Sequence, residues 1–364
     1  MHSAFTDKRG LAQFAIPNDR LAYSILALDL AIYLGLVMAT VLVDSLLLKS
    51  IFGMLAGFFI AQLFVIGHDA GHSAFVRSRR ANAIIARISF LPALHNLTLW
   101  QFVHNRLHHA FTNVKGYNSW SPLSYDEFQS LSCTRRWLER LYRSPAGLGI
   151  YYLRERWLRD KFFPRRHIPG KYHAGGWKDF YLNMLFLVSL VTGVCTLALF
   201  AGQSPWLAVV FAVIVPFVVW NYAMGLTTYQ QHTHPQLSWY RDLAEYRKNV
   251  HNASEVSIYM RYASWYLLIT HNCYVHPVHH LNARIPLYKL HKAQAAYMQT
   301  NPKQVHVFPF SLSLLLTTMQ TCKLYDYSLH QWLDFHGKPT SPAIATKSDS
   351  ASAEIIPLRK SSAS

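Results

Sequence analysis

The sequence predicts an all-α, polytopic integral membrane protein. Four transmembrane helices form two hairpins, with a cytoplasmic helical cap that carries a histidine-rich dinuclear metal site. Three observations predict this. Of the 364 residues, 51% are hydrophobic and only 15% are charged, against roughly 25% charged in soluble domains. Four apolar runs, at about residues 21–43, 51–67, 181–201 and 206–228, each approach the ~20 residues that a helix needs to cross the hydrocarbon core. Three histidine clusters follow these runs at spacings that suit metal ligation.

The first run, Leu21 to Val43, contains one charge, Asp29. A carboxylate is costly in lipid, so it should face the bundle as a structural hydrogen-bond acceptor. The run is longer than the 7–15-residue apolar core of a cleaved signal and is expected to persist as an anchor. Ile51 to Gly67 carries no charge, and the third and fourth runs are separated only by Gly202-Gln203-Ser204-Pro205. Ala83 to Val103 contains Arg87, Pro92 and His95, while Ser257 to Thr270 is short and contains Arg261. Both read as interfacial or re-entrant helices. Residues 1–336 are expected to form one domain, followed by a disordered tail over 337–364, which is rich in Ser, Ala, Lys and Pro.

Net charge is +17, and its placement matters more than its size. Residues 72–179 hold 18 Lys and Arg against 6 Asp and Glu, whereas the connectors inside the hairpins carry only Asp44 and Lys49. By the positive-inside tendency this segment, both termini and the metal site face the cytoplasm. Nucleic acid is not an expected partner, because no recognition motif accompanies the charge. A subset such as Arg135, Arg136, Arg140 and Arg143 could dock an acidic protein or hold a lipid phosphate. Cys133, Cys195, Cys273 and Cys322 are scattered and imply neither a disulfide framework nor a zinc ribbon.

The histidine clusters are His68-Asp-Ala-Gly-His72, His104-Asn-Arg-Leu-His108-His109 and His276-Pro-Val-His279-His280. On helices, each spacing points at least two imidazoles from neighbouring turns toward one side. Imidazole is a common ligand of first-row metals, and eight of them exceed what one ion needs, which argues for a dinuclear centre. Each cluster follows an even number of crossings, so all three should emerge on one face. His232, just past the fourth run, is expected as a ninth ligand. His271 is a candidate ligand or hydrogen-bond partner of one. Asp69 could orient a histidine through its second ring nitrogen, or cap the helix. His234, beside Pro235, reads as structural. His2, His167, His173, His251, His306, His330 and His336 stand singly in polar or irregular sequence and read as ordinary polar residues.

With these residues in order, the chain resembles the membrane fatty acid desaturases. The likeness rests on the three boxes, their placement relative to paired spans, and neighbouring text: Phe111-Thr112-Asn113 after box two, His271-Asn272-Cys273-Tyr274-Val275 before box three, and Arg284-Ile285-Pro286 with Tyr288 after it. It covers roughly residues 20–300. Within the family the chain is similar to bacterial and cyanobacterial acyl-lipid desaturases of the Δ12, or omega-6, type. Box one has the shorter spacing of that group rather than that of the stearoyl-CoA type. Box three begins with His276 rather than the glutamine of front-end desaturases, and no His-Pro-Gly-Gly haem signature of cytochrome b5 occurs.

The resemblance implies a desaturase of long acyl chains on membrane glycerolipids or another acyl carrier, in a bacterial inner membrane. It implies two Fe2+ ions, dioxygen as co-substrate, and two electrons from a separate acidic donor such as ferredoxin or a cytochrome b5-like protein. Two neighbouring hydrogens would leave the chain, giving a cis double bond and water. A related diiron hydroxylase or carotenoid ketolase is the nearest alternative, although the Asn-Tyr-x-Glu-His-Tyr-Gly text of alkane hydroxylases is missing from the sequence. A membrane metal transporter is the alternative of another class. It would place its ligands near mid-membrane rather than beyond the spans.

Overall fold

The computed structural model describes residues 8–165, 168–301 and 304–345. His2, His167 and the tail beyond residue 345 lie outside the described residues. The four apolar runs are helices Asp19–Leu42, Leu46–Gly71, Gly170–Phe200 and Pro205–His232, each long and apolar enough to cross a membrane. They are paired by the turns at 43–45 and 201–204. Asn18, Ser45 and Ser204 cap the first, second and fourth through side-chain oxygens that accept backbone N–H groups left unpaired at helix starts. Lys49 is buried, and its Nζ donates to the carbonyls of Thr40 and Val41 at 3.1 Å each, where the first helix runs out of partners. Gln203 Nε2 donates to Asp44 Oδ1 at 2.5 Å and so joins the two turns.

The second span is the centre of the bundle. In its most apolar window 56% of residues are buried, against 17% in the third span, which is peripheral. Gly57 allows the second and fourth spans to cross closely, since a Cβ there would lie 2.6 Å from Val219 Cβ and 2.7 Å from the Pro216 carbonyl. The helices outrun the apolar stretches: the second continues to Gly71 and the fourth to His232. Spans two and four therefore deliver His68 and His232 directly.

Ala83 to Val103 does not cross. Arg79–Phe90 is an amphipathic helix that buries Asn82, Ile85 and Ala86 and exposes Ile84 and Ile88. It is followed by the short helix Leu97–Trp100 and the π-helix Gln101–His108. Asp179, at the start of the third span, fixes this segment by accepting from Arg87 Nε at 2.9 Å and from Thr98 N and Oγ1 at 2.8 and 2.6 Å.

The stretch Ser257 to Thr270 corrects the expectation of a helix. Ile258–Arg261 is a strand paired in parallel with His306–Pro309, and only Ser264–Ile269 is helical. Ile, Tyr and Met suit a buried strand, but the partner lies far along the chain and leaves no local signal. A second two-stranded sheet pairs Leu324–Asp326 with Gln331–Leu333. The start of the tail is also corrected. Ser341 Oγ accepts from Trp332 N at 3.0 Å, Thr340 N donates to the Trp332 carbonyl at 2.8 Å, and Ile344 N donates to the His330 carbonyl at 3.3 Å. Polar composition here supplies partners to the body of the protein instead of signalling disorder.

The arginines singled out as a docking set are tied into the fold. Arg135 pairs with Glu139 at 2.7 Å and Glu155 at 2.5 Å, and buried Arg143 donates to the carbonyls of Trp120 and Ser121 at 3.3 and 3.1 Å. Arg140 lies over the rings of Phe128 and Phe335, and Arg136 donates to Gln129 at 3.3 Å. Their charges answer local carboxylates, carbonyls and rings.

Candidate metal centre

Two groups of four imidazoles converge: His68, His72, His104 and His279 in one, and His108, His232, His276 and His280 in the other. Within each group the ring nitrogens that face inward lie within 4.8 Å of one another. The boxes do not map one to a group. Box two sends His104 to the first group and His108 to the second, and box three divides likewise between His279 and the pair His276 and His280. His276 opens the short helix His276–Leu281, with Pro277 in its first turn.

The π-winding of Gln101–His108 explains how box two serves both groups. His109 N donates to the His104 carbonyl at 3.0 Å, an i→i+5 bond. At the α-helical rate of 3.6 residues per turn, a residue five positions on lies about 140° away. The wider turn brings it back to the same face. His109 consequently stands beside both groups, its Nε2 at 3.1 Å from His104 Nε2 and 3.2 Å from His279 Nε2, with its ring centroid 4.6 Å from that of His280.

The donor set fits metal ions. His68 and His104 bring their Nε2 atoms to 3.0 Å, and His276 Nε2 lies 2.8 Å from His232 Nε2 and 2.9 Å from His280 Nε2. Two ligands at right angles, each about 2.1 Å from a common ion, would stand about 3.0 Å apart. Protons alone satisfy such a cluster poorly, because a neutral imidazole has a single N–H to give. His72 Nε2 and His279 Nδ1 are in fact buried with no hydrogen-bond partner. Burial first, then the charges of neighbouring histidines, hold His72, His104, His276, His279 and His280 well below the usual imidazole range and push His109 down to about 3. Neutral rings are the metal-binding form.

Several ligand candidates are oriented from behind. Asp69 Oδ1 lies 3.3 Å from His68 Nδ1, and its Oδ2 accepts the Leu287 N–H, so this carboxylate also joins span two to the segment after box three. The Val256 carbonyl lies 3.3 Å from His232 Nδ1, and Thr112 Oγ1 lies 3.4 Å from His280 Nδ1. Trp100 stacks on His104 with centroids 4.5 Å apart. Gly71 makes room for that indole, since a Cβ there would lie 2.5 Å from Trp100 Cζ3.

His271 turns elsewhere: its Nε2 meets Asp29 Oδ2 at 2.5 Å, and it joins neither group. Of the two roles open to His271, ligand or hydrogen-bond partner of one, this structure shows neither, and its ring is engaged by Asp29 instead. Asp29 itself faces inward, as its cost in lipid requires. His234 stacks on Phe308 at 3.8 Å and its Nδ1 accepts the Gln236 N–H. His330 pairs with Glu245 at 3.0 Å, His306 lies against Phe308, His173 lies near Trp177, and His251 and His336 take no part in either group. Sequence reasoning passed over His95, which is buried between Phe64, Phe90 and Trp220. It also passed over Lys161, whose burial no local pattern announces.

A cavity of about 240 Å³ opens onto both groups, lined by His68, His104, His108, His232, His276 and His279. Phe58, Ala61, Gln62, Val65, His68 and Asp69 form one face of span two along it, a path of about 15 Å from Phe58 to His68 at 1.5 Å per residue. Val219, Tyr222, Ala223 and Leu226 of span four line the opposite wall. The result is a slot, largely apolar, with imidazoles of both groups in its wall.

A family model described as fatty acid desaturase matches residues 45–311. The chain is 25% identical over 283 residues to an sn-1 oleoyl-lipid 12-desaturase of Picosynechococcus sp., covering 77% of this chain and 78% of that protein. It is 29% identical over 296 residues to an sn-1 acyl-lipid omega-3 desaturase (ferredoxin) of Synechocystis sp., covering 78% of each. It is 26% identical over 289 residues to a chloroplastic omega-6 fatty acid desaturase of Arabidopsis thaliana, covering 73% of this chain and 57% of that one.

Proposed function

The chain belongs to the fatty acid desaturase family, and on that premise we propose that it is an oxygen-dependent acyl-lipid desaturase of the Δ12, or omega-6, type. Two iron ions, when bound, would supply with dioxygen and two external electrons the oxidising power needed to remove hydrogen from an unactivated methylene. Nine imidazoles would hold them: His68, His72, His104 and His279 for one, His108, His232, His276 and His280 for the other, and His109 beside both. Asp69 keeps His68 in a fixed tautomer and orientation. The walls of spans two and four hold the acyl chain extended and exclude water from the reacting carbons.

The observation that carries this reading is the shared lining. The largely apolar slot has histidines of both groups in its wall. Relatives named for 12-desaturation of oleoyl lipids support the regiochemistry, and one named with ferredoxin supports a small acidic electron donor. The basic segment between spans two and three supports a cytoplasmic metal site.

The test is expression in a host that makes monounsaturated but no polyunsaturated lipids, with double-bond localisation by mass spectrometry. New 9,12-dienoic chains are expected. A hydroxylated or ketonic product would replace this reading with the related oxygenase, and unchanged lipids in a host with a competent ferredoxin would reject it.

A further inference from the structure

The π-helix Tyr152–Phe162 carries an unusual side chain into the slot. With an i→i+5 winding, residues four and five apart share a face, so Tyr152, Arg156 and Lys161 line up and all three line the cavity. Among the described residues lining it, Arg156 and Lys161 are the two Lys or Arg side chains. They differ in how they are answered. Arg156 pairs with Asp160 at 2.9 Å, which leaves its Nε buried without a partner. Lys161 is only 7% exposed, and among the described residues its polar contact is the Tyr152 hydroxyl at 3.4 Å, with the amine 5.3 Å from that ring.

An amine buried beside an apolar slot with no carboxylate in hydrogen-bonding contact is among the costliest groups a protein can hold. Its surroundings ease that cost only in part: Arg156 repels it, Asp160, which is paired with Arg156, attracts it, and it in turn repels the charged forms of His95 and His108. Lys161 is not a surface residue that happens to fold inward either. Its own carbonyl accepts the Asn96 N–H at 3.3 Å, and Tyr152 packs edge-on against Trp220 in the core. The polymethylene part of an acyl chain offers nothing to an ammonium. The carbonyl oxygen at its end does, as a hydrogen-bond acceptor.

We infer that Lys161, seconded by Arg156, holds the carbonyl oxygen of the acyl substrate inside the slot, so that the enzyme counts its position of attack from the carbonyl end. This rests on the desaturase reading for its substrate class, but its test does not require turnover. The shared chemistry is an acyl carbonyl, whether it belongs to a glycerolipid ester, a thioester or a free carboxylate.

Binding to the purified full-length protein in nanodiscs would be measured with fluorescent lipids in matched pairs: an oleoyl ester glycerolipid, the oleyl ether glycerolipid lacking the carbonyl, oleoyl-CoA, and oleate. Wild-type protein is expected to bind at least one carbonyl-bearing ligand on the order of tenfold or more tighter than the ether, and the strongest of the three identifies the carrier. Lys161→Met should lose that preference while still binding the ether, and Lys161→Gln should regain part of it. Equal binding of ether and all three carbonyl ligands by wild type, or a preference unchanged in Lys161→Met, would overturn the assignment. In cells making C16, C17 and C18 monoenes, a double bond at constant distance from the carbonyl agrees with it, and a constant distance from the methyl end contradicts it. Absence of any new double bond alongside a Lys161-dependent ester preference would reject the desaturase reading alone.

Discussion

Asp29 of the first span and His271 of the loop before box three face each other at 2.5 Å, although 242 positions separate them. The carboxylate is 4% exposed. His271 and Asn272 both adopt left-handed backbone, with φ of 50° and 56°. The pair thus holds a strained loop against the membrane bundle, just upstream of three histidines of the candidate metal centre.

Breaking this pair should loosen the loop. Asp29→Leu leaves His271 without its partner and is expected to lower stability by about 1–3 kcal/mol. His271→Leu should cost a similar amount, and the double variant less than the sum. Thermal unfolding in detergent tests the cycle, and fully additive losses would mean that the two side chains do not act together.

His232 and His234 are close in sequence and opposite in role. His232→Ala should abolish activity and reduce bound iron, because it removes one of four converging nitrogens. His234→Ala removes a stack on Phe308, worth about 0.5–1.5 kcal/mol, and the Nδ1 that accepts the Gln236 N–H, and should retain both iron and activity. Iron content by atomic absorption together with product yield checks the pair, and the reverse pattern would move the ligand to His234.

Gly71 is required by the indole beside it. Gly71→Ala forces Trp100 to move from the ring of His104 and should lower iron retention, at a packing cost of about 1–3 kcal/mol. Trp100→Phe in the same chain makes space and should restore part of the loss. A Gly71→Ala protein with wild-type iron content and stability would show that the close approach is not needed.

Lys161 gives a pH signature. Burial first, and the charge of Arg156 second, push its amine down to about 7 from 10.5, with Asp160 opposing; Tyr152, His95 and His108 are the other titratable groups around it. Below pH 7 the amine is charged whether the chain is folded or not, and folding bears the full desolvation cost. Between pH 7 and 10.5 the unfolded chain holds a proton that the folded one lacks, so stability rises with pH until the cost is gone. Lys161→Met lacks this pH dependence. It should be more stable than wild type at pH 7, by a few kcal/mol in order of magnitude, and the gap should close toward pH 10. Melting curves at several pH values test this, and a gap independent of pH would contradict it.

Sidedness is testable with Ser130→Cys and His251→Cys, both exposed positions, in a cysteine-free background. Both should react with a membrane-impermeant maleimide only after the cytoplasmic face is opened. Opposite accessibility would disprove the four-span arrangement.

The membrane helices and the histidine boxes were legible because each depends on local pattern: long apolar runs and ligand spacing along one segment. The division of box two between two groups was not, since His104, His108 and His109 share a face only through a π-turn that the residue types do not announce. His232 could be placed from its distance past an apolar run. His271 could not, because the carboxylate that claims it sits in a different span. Lys161 reads as one more member of a basic segment and Arg143 as one of its docking candidates, and only tertiary packing reveals that both are buried.

The two imidazole groups also have a consequence for chain connectivity. Each draws on three stretches of sequence: residues 68–72, 104 and 279 for one, and 108, 232 and 276–280 for the other. An ion bound in either group is therefore a cross-link that closes very long loops, of the kind that most restricts an unfolded chain. The spans keep their own backbone bonds in lipid without help, whereas the segments that carry the boxes would gain these ties only on binding metal. Metal supply would thus set the lifetime of the cap rather than that of the membrane anchor, and a protease would distinguish loaded from unloaded protein by cutting between the boxes while sparing the spans.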